Sequence, residues 1–441
     1  MSEAVTRRVP RRRVLLLVEN APVPADRRVW NEARTLRQAG YQVSIICPQR
    51  RWRLRHERLE GISIYRFPLP SLAGIGGHLL EYAIALPMMF VLTCWVFFYE
   101  GFDVIHAANP PDFLYLIARV FKRLGKKFVF DQHDVGPEAC TTRWSGIKRR
   151  LTYALAVRGE RASFRTAAVV IAVNESVRRM AIDRGRVDPT RVFVVRNAIR
   201  TADFSTGQPR AELRRGKRYL VCYAGVIGPD DGLGELLLAA RHVVLDRLRS
   251  DVHFVVIGDG DCFESIVQMS HRLGLGGSIE FTGWLRDDSA IANYLATADV
   301  CVVPDPKNPV NDLCSMNKIV EYMAMGKPVV AFDLKEARET AREAGVYVTP
   351  NGERSHDAAA FGDQILTLLD SPQTRAWMGR LGRRRFTQVL AWDHQQAALL
   401  QAYAALFPAP LANNAASPLL GEAPGGRLRD GAREALQAIS D

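Results

Sequence analysis

Residues 219–260 read YLVCYAGVIGPDDGLGELLLAARHVVLDRLRSDVHFVVIGDG. An apolar run (219–225), a helical period (232–247) and a second apolar run (252–260) follow one another. Apolar runs that are continuous rather than alternating, separated by helices, predict parallel strands covered on both faces. The unit repeats downstream. Strands are expected at 278–283, 298–304 and 328–333, and helices at 261–274, 288–297, about 315–325, 355–370 and 373–406. It also repeats upstream, with strands at 14–18, 43–47, 62–67, 103–107, 127–131, 168–173 and 191–196. Helices are expected there at 26–39, stopped by Gly40, at 112–124, stopped by Gly125, and at 145–166. The apolar period lapses over 197–217. The chain therefore reads as an α/β protein of two doubly wound, Rossmann-like domains, at 1–200 and 218–385, joined by a linker at 201–217. A terminal helix at 386–408 and a flexible, Pro-, Gly- and Ala-rich tail at 409–441 complete it. Two such domains form a cleft, and ligands bind at the carboxyl ends of the strands that face it.

The size fits two or three domains, with 441 residues of which 48% are hydrophobic and 24% charged. That composition excludes disordered and collagen-like classes. Seven scattered cysteines without a CxxC pair exclude a disulfide framework or a cysteine zinc site and fit a reducing compartment. Nine histidines form no HExxH pair. No metal and no cofactor are expected.

Charge is split by domain. Residues 1–205 hold 34 Lys and Arg against 18 Asp and Glu, and residues 206–441 hold 25 against 29. A basic half implies an anionic partner. The interleaved aromatics and motifs of nucleic-acid readers are missing, so nucleic acid is not expected. Tyr82 to Tyr99 (YAIALPMMFVLTCWVFFY) carries no charge and just reaches spanning length, with Pro87 inside it. A buried helix, a membrane span and a helix lying in the interface are the three readings. The third, with Trp95, Phe97 and Phe98 at the interface and basic runs beside it, is preferred. No cleavable signal precedes the first strand, whose apolar core is short.

The first strand runs into ENAPVPADRR, without the GxGxxG of a nicotinamide dehydrogenase, and a Walker A loop is absent. Gly225-Val226-Ile227-Gly228 and Gly258-Asp259-Gly260 read as plain strand-to-helix turns that still offer helix amides to a phosphate. The most informative stretch for function is Asn311 to Asp333, NDLCSMNKIVEYMAMGKPVVAFD. A small, polar loop enters a helix, with Lys318 and Glu321 on one face. Amides and a lysine suit a diphosphate, and a carboxylate suits ribose hydroxyls, but an i, i+3 ion pair on a solvated face is equally compatible. His133 follows a strand at its carboxyl end, whereas His106 lies within a strand and reads as core. Asp26, Arg27, Arg28 and Glu32 open the first helix, where touching an acceptor and capping the helix are equal readings.

The stretch 311–333 resembles the nucleotide-sugar site of glycosyltransferase family 4, retaining enzymes of the GT-B fold. Other segments agree in order: ADRRVWNEARTLRQAGYQVSIICP, FDVIHAANPPD, FDQHDVGPE, VVRNAIRTADF, IEFTGWLRDDSAIANYLATADVCVVP and LAWDHQQAALLQAY. The last resembles the family's terminal helix, which crosses back to the first domain. The likeness covers roughly residues 12 to 406. It implies that His133 contacts the donor sugar, Lys318 the diphosphate and Glu321 the ribose. It further implies a donor pocket of Gly225, Val226, Gly258, Leu285, Arg286, Cys314, Ser315, Met316 and Asn317. Two departures stand out. The first glutamate of the family's Glu-x7-Glu is Leu313, with Asp312 beside it, and the family's basic pair falls near Val226 and Asp231.

The expectation is a retaining, metal-independent hexosyltransferase. It would move a sugar from a UDP- or GDP-linked donor to a hydroxyl acceptor, lipid-linked or a surface-polysaccharide precursor. The setting is a bacterial cytoplasm, at the inner face of the plasma membrane and in contact with anionic lipid. Two alternatives are a sugar-nucleotide epimerase of the same fold, which would need no acceptor, and a membrane-associated scaffold without chemistry.

Overall fold

The computed structural model describes residues 12–49, 55–69, 74–201, 206–285 and 287–407. The first half runs β1 (Arg13–Leu17), α1 (Arg27–Gln38), β2 (Gln42–Gln49), β3 (Arg55–Leu59), β4 (Ile62–Pro68) and α2 (Gly74–Tyr99). It continues through β5 (Val104–Ala108), α3 (Tyr115–Lys122), β6 (Lys127–Gln132), α4 (Gly136–Arg143), α5 (Gly146–Thr166), β7 (Val169–Ala172), α6 (Glu175–Asp183) and β8 (Val192–Val194). The second half runs β9 (Tyr219–Ala224), α7 (Leu233–Arg241), β10 (Val252–Ile257), α8 (Phe263–Arg272), β11 (Ile279–Gly283), α9 (Asp288–Thr297) and β12 (Val300–Val303). Then come α10 (Asn317–Ala324), β13 (Val329–Phe332), α11 (Lys335–Ala341), β14 (Gly345–Val348), α12 (Arg354–Asp370), α13 (Pro372–Arg385) and α14 (Trp392–Leu406).

The strands form two sheets. One has eight strands in the order β3-β4-β2-β1-β5-β6-β7-β8, and the other six in the order β11-β10-β9-β12-β13-β14. Every pairing is parallel except β3 with β4. Their interiors are the apolar runs: Leu15, Leu17, Phe128, Val170, Leu220, Val255 and Val302 are all at most 1% exposed. Right-handed crossovers from β4 to β5, β5 to β6 and β6 to β7 place α2, α3 and α5 on one face of the first sheet, and the opposite step from β1 to β2 places α1 on the other. Asp26 caps α1 by accepting from the Val29 N–H at 3.1 Å. Gly40, at φ +94°, follows the Ala39 cap and ends it.

The expected 373–406 helix is two helices. A π turn at Phe386–Leu390 and an extended Ala391 (ψ 150°) redirect the chain. After that break, α14 packs against α1, β7 and β8 of the first half. Trp392 is fully buried there, its Nε1 donating to Thr35 Oγ1 at 3.0 Å. The 409–441 tail lies outside the described residues.

Helix α2 is long and apolar enough over Leu80–Tyr99 to cross a membrane, with a mean hydropathy of 1.8. One side of it is built into the core. Ala85, Met89, Thr93 and Val96 recur at helical spacing and are fully buried. Val91, Trp95 and Phe98 on the opposite side are exposed, and Pro87 sits on that side, where a lost backbone bond faces outward.

Candidate functional site

The carboxyl ends of β1, β5 and β6 carry a buried ionic cluster. Arg28, in the first turn of α1, reaches Asp131 at the end of β6, with Nη2 to Oδ1 at 2.8 Å. Its Nε lies 3.2 Å from Glu32 and 2.8 Å from His133 Nε2, and its Nη1 donates to the Val195 carbonyl and to Asn197 Oδ1. His133 Nε2 is 2.5 Å from Asp131 Oδ2. His106 Nε2 is 3.3 Å from the same carboxylate, while His106 Nδ1 pairs with the Tyr403 hydroxyl of α14 at 2.8 Å. Burial opposes ionisation of Asp131, but Arg28 and His133 outweigh it and hold that carboxyl well below the usual range. Burial, with repulsion from Asp131, holds Glu32 well above it. Asp131 is thus the stronger acid of the pair, and its carboxylate lies against the His133 ring. Donor atoms of Glu32, Asp131 and His133 lie within 4.8 Å of one another. The guanidinium of Arg28 sits against all three, so the cation this group already serves is an arginine.

The backbone behind His133 is clamped as well. Asn109 Oδ1 accepts from the N–H groups of His133 (2.6 Å) and Asp134 (3.0 Å), and its amide donates to Asp112 and to the Asp134 carbonyl. Burial pushes the Asp112 carboxyl up to about 7.

The second sheet answers from across the cleft. Helix α10 starts at Asn317 with no side chain capping it, so its first N–H groups, next to Ser315 and Met316, are open to an anion. Arg196 and Asn197 line the gap at this helix head together with Ser315, Met316 and Asn317. Lys318 is held by Asp305 (2.9 Å) and Asp231 (3.3 Å), and lies 4.8 Å over the Tyr223 ring. Burial would lower its pKa, but Asp305, Tyr223 and Asp231 together outweigh burial and keep it above the ordinary lysine value. Glu321, one turn on, is partly exposed and 3.7 Å from Arg27 of α1, which also reaches Asp288 at 3.3 Å. Burial raises the Glu321 carboxyl, and Arg27 opposes that. The 311–316 loop is gripped by the first half: Asn174 donates to the Leu313 carbonyl (2.8 Å) and to Ser315 Oγ (2.9 Å).

The remaining expected donor residues cluster at the carboxyl edge of the second sheet. Gly258, at φ +137°, lies against Gly225, and a Cβ there would fall 1.8 Å from the Gly225 oxygen, so only glycine fits. Val226 is exposed, Leu285 is half-buried beside an exposed Trp284, and Arg286 lies outside the described residues. Cys314 is half-buried, and its desolvation pushes the thiol up to about 12.

Sequence reasoning left four opening residues undecided. Asp26 is the α1 cap, Arg27 faces the cleft, and Arg28 and Glu32 are buried in the ion cluster. It missed Asp131, Asp305, Asn109, Asn174 and Arg196, whose pairings are set by the fold and follow no motif spacing. The sequence placed Asp312 beside Leu313, the position of the absent glutamate. Asp312 caps α11 by accepting from the Lys335 N–H at 2.9 Å, and Leu313 packs on the core of the first half.

Residues 25–203 match the family described as Glycosyltransferase Family 4, and residues 218–371 the one described as Glycosyl transferases group 1. The chain belongs to glycosyltransferase family 4. The GDP-mannose-dependent alpha-(1-6)-phosphatidylinositol monomannoside mannosyltransferase of Mycobacterium tuberculosis is 29% identical to this family 4 chain over 191 residues, 42% of this chain and 48% of the relative. The D-inositol 3-phosphate glycosyltransferase of Salinispora tropica is 28% identical over 240 residues, 50% of this chain and 48% of the relative. The chain thus spans about half the length of the curated relatives it matches. Among solved structures, sucrose-phosphate synthase from Thermosynechococcus elongatus superposes with a TM-score of 0.71 at 19% identity, over 90% of this chain and 99% of that one. The fold is GT-B, with two parallel-sheet halves and a C-terminal helix returning to the first.

Proposed function

We propose that this family 4 chain transfers a sugar, with retention and without a metal, from a UDP- or GDP-linked donor to a hydroxyl of a lipid-linked or surface-polysaccharide acceptor. The observation that carries the reading is the open head of α10, with Glu321 one turn on and 3.7 Å from Arg27 across the cleft. Amides at that head would take the diphosphate, Glu321 the ribose hydroxyls and His133 the donor sugar. Acceptor oxygen would bond to the anomeric carbon on the face that the phosphate leaves, and its proton would pass to the departing phosphate oxygen. Amide donors aimed at that leaving group act where charge develops, and losing one such donor costs roughly 100- to 1000-fold in rate. The Mycobacterium relative, named for GDP-mannose and a phosphatidylinositol mannoside, supports both donor and acceptor classes.

The exposed side of α2 and the basic first half support peripheral contact with the anionic inner face of a bacterial plasma membrane. Each basic residue near such a surface contributes roughly 1 kcal/mol.

The deciding experiment is thermal-shift binding of UDP, GDP and ADP with and without EDTA, followed by product analysis with and without acceptor. Stabilisation by one nucleoside diphosphate, unchanged by EDTA, is expected. Product formed from donor alone would favour an epimerase. Binding without turnover would favour a scaffold, as would an Asp231 and Asp305 pair that keeps Lys318 from phosphate.

A further inference from the structure

Helices α2, α3 and α5 share one face of the first sheet, and each ends where the next strand, β5, β6 or β7, begins. Their C-terminal ends therefore gather at the edge of the sheet opposite the cleft. An open concavity lies there between α3 and α5, lined by Arg119, Lys122, Arg123, Ala162, Arg165 and Thr166. Among the described residues none of its four cations has a carboxylate within ion-pair distance. Lys122 gives one proton to the Thr166 carbonyl at 2.7 Å and keeps two. Several other arginines in this half are paired, as in Arg34 with Glu60, Arg66 with Glu57, and Arg184 with Glu138 and Glu160, and it is the convergence of four unpaired cations on one hollow that sets this place apart. Four unmatched cations around one hollow are a site for a polyanionic group.

The surroundings say what carries that anion. The end of α2 packs on α3 through Phe97 and Phe121, with ring centroids 5.3 Å apart. Beside that contact Trp95, Phe98, Tyr99 and Leu124 are exposed by 51%, 80%, 69% and 56%. Bare aromatic and aliphatic side chains next to unmatched cations suit a bilayer interface. Trp95 and Tyr99 stack on each other at 4.0 Å, closing those two faces to nucleobases. One exposed line on α5 starts near the cleft with Ile147, Leu151 and Leu155 and ends in the concavity with Arg165.

We propose that this concavity binds the phosphodiester headgroup of an anionic membrane lipid, laying the α2–α3–α5 face on the bilayer with the cleft mouth beside it. The proposal adds a specific site to the membrane contact proposed above and rests on that contact for its bilayer. The test is flotation of the full chain with phosphatidylcholine vesicles, with and without phosphatidylglycerol, comparing wild type with the triple variant R119Q/R123Q/R165Q. Wild type should favour the phosphatidylglycerol vesicles, and the triple variant should lose about tenfold or more of that preference. Its stabilisation by a nucleoside diphosphate should stay unchanged, which shows that it folds. A triple variant that partitions like wild type overturns the site while leaving the membrane contact standing. Wild type indifferent to phosphatidylglycerol overturns both. Inorganic phosphate that stabilises wild type but not the triple variant, without any phosphatidylglycerol preference, assigns the hollow to a free anion and overturns the lipid. So does a duplex oligonucleotide that binds through these arginines when vesicles do not.

Discussion

Arg27 and Glu321 meet across the cleft, with 3.7 Å between Nη1 and Oε1. The two ends of this contact differ in setting. The Arg27 side chain is 62% exposed and shared with Asp288, whereas Glu321 is 29% exposed on the buried side of the cleft. An exposed pair contributes about 0–1 kcal/mol, and a charge-assisted hydrogen bond to a ligand about 1.5–3. Glu321→Ala is therefore expected to weaken nucleoside-diphosphate binding by roughly 10- to 100-fold. Arg27→Ala should change it by only a few-fold. Calorimetric titration of both variants checks this, and full affinity in Glu321→Ala would remove the ribose assignment.

The Arg28 and Asp131 pair is expected to behave in the opposite way, as a determinant of stability. Both side chains are at most 6% exposed, and Asp131 holds the cluster's negative charge. Removing one partner of a buried pair leaves an uncompensated charge and costs about 3–5 kcal/mol. Asp131→Asn should lower unfolding free energy by that amount, and Arg28→Met combined with Asp131→Asn should cost less than the two single changes together. Denaturant titration of the three variants measures the coupling. Additive costs would show that the pair does not act as a unit.

This cluster also shows where the sequence stops being legible. Parallel strands could be read because burial on both faces leaves continuous apolar runs, as in Leu15–Leu17 and Val300–Val303. Strand β3, RHERL, could not, because it is a solvated antiparallel edge with no apolar face. The break at Phe386–Leu390 was hidden by an apolar period that continues through it. His133 could be found from its place after a strand. Arg28 and Glu32 could not be told from helix caps, because their partner Asp131 lies about a hundred residues away. Leu313 shows the converse, a departure visible in the sequence whose cause is packing against the other half of the chain.

Asp112 gives a pH dependence. Burial raises its carboxyl from 3.8 to about 7, and Asn109 opposes this only in part. Between those values the folded chain holds a proton that the unfolded chain has released. Stability therefore falls as pH rises through this window, by up to about 1.4 kcal/mol per pH unit, and levels off above it. Glu19, raised to about 7 by burial and by Glu81, adds in the same direction. Asp112→Asn keeps the acceptor for Asn109 without the charge. Unfolding free energies of wild type and Asp112→Asn between pH 5 and 8, as a rough range, should diverge in favour of the variant as pH rises. A constant difference would refute the assignment.

Lys318 is bound by two carboxylates, so its loss should be felt first in the fold. Asp305 is 3% exposed, and burial lifts its carboxyl to about 6 even though Lys318 opposes this. Lys318→Met removes that opposition and leaves Asp305 and Asp231 facing each other, so the Asp305 carboxyl rises further. At pH 5 a protonated Asp305 tolerates the missing ammonium, whereas at pH 8 an isolated buried carboxylate remains. The destabilisation should therefore be small at the acid end and grow towards about 3 kcal/mol at the alkaline end. Asp305→Asn in the same background should restore most of the alkaline loss. Nucleotide binding then separates the two roles of Lys318. If the stabilised double variant recovers its fold but binds the nucleoside diphosphate at least about tenfold more weakly than wild type, Lys318 also serves the phosphates. If affinity recovers with stability, the amides at the head of α10 are sufficient and the lysine serves only to neutralise Asp305 and Asp231.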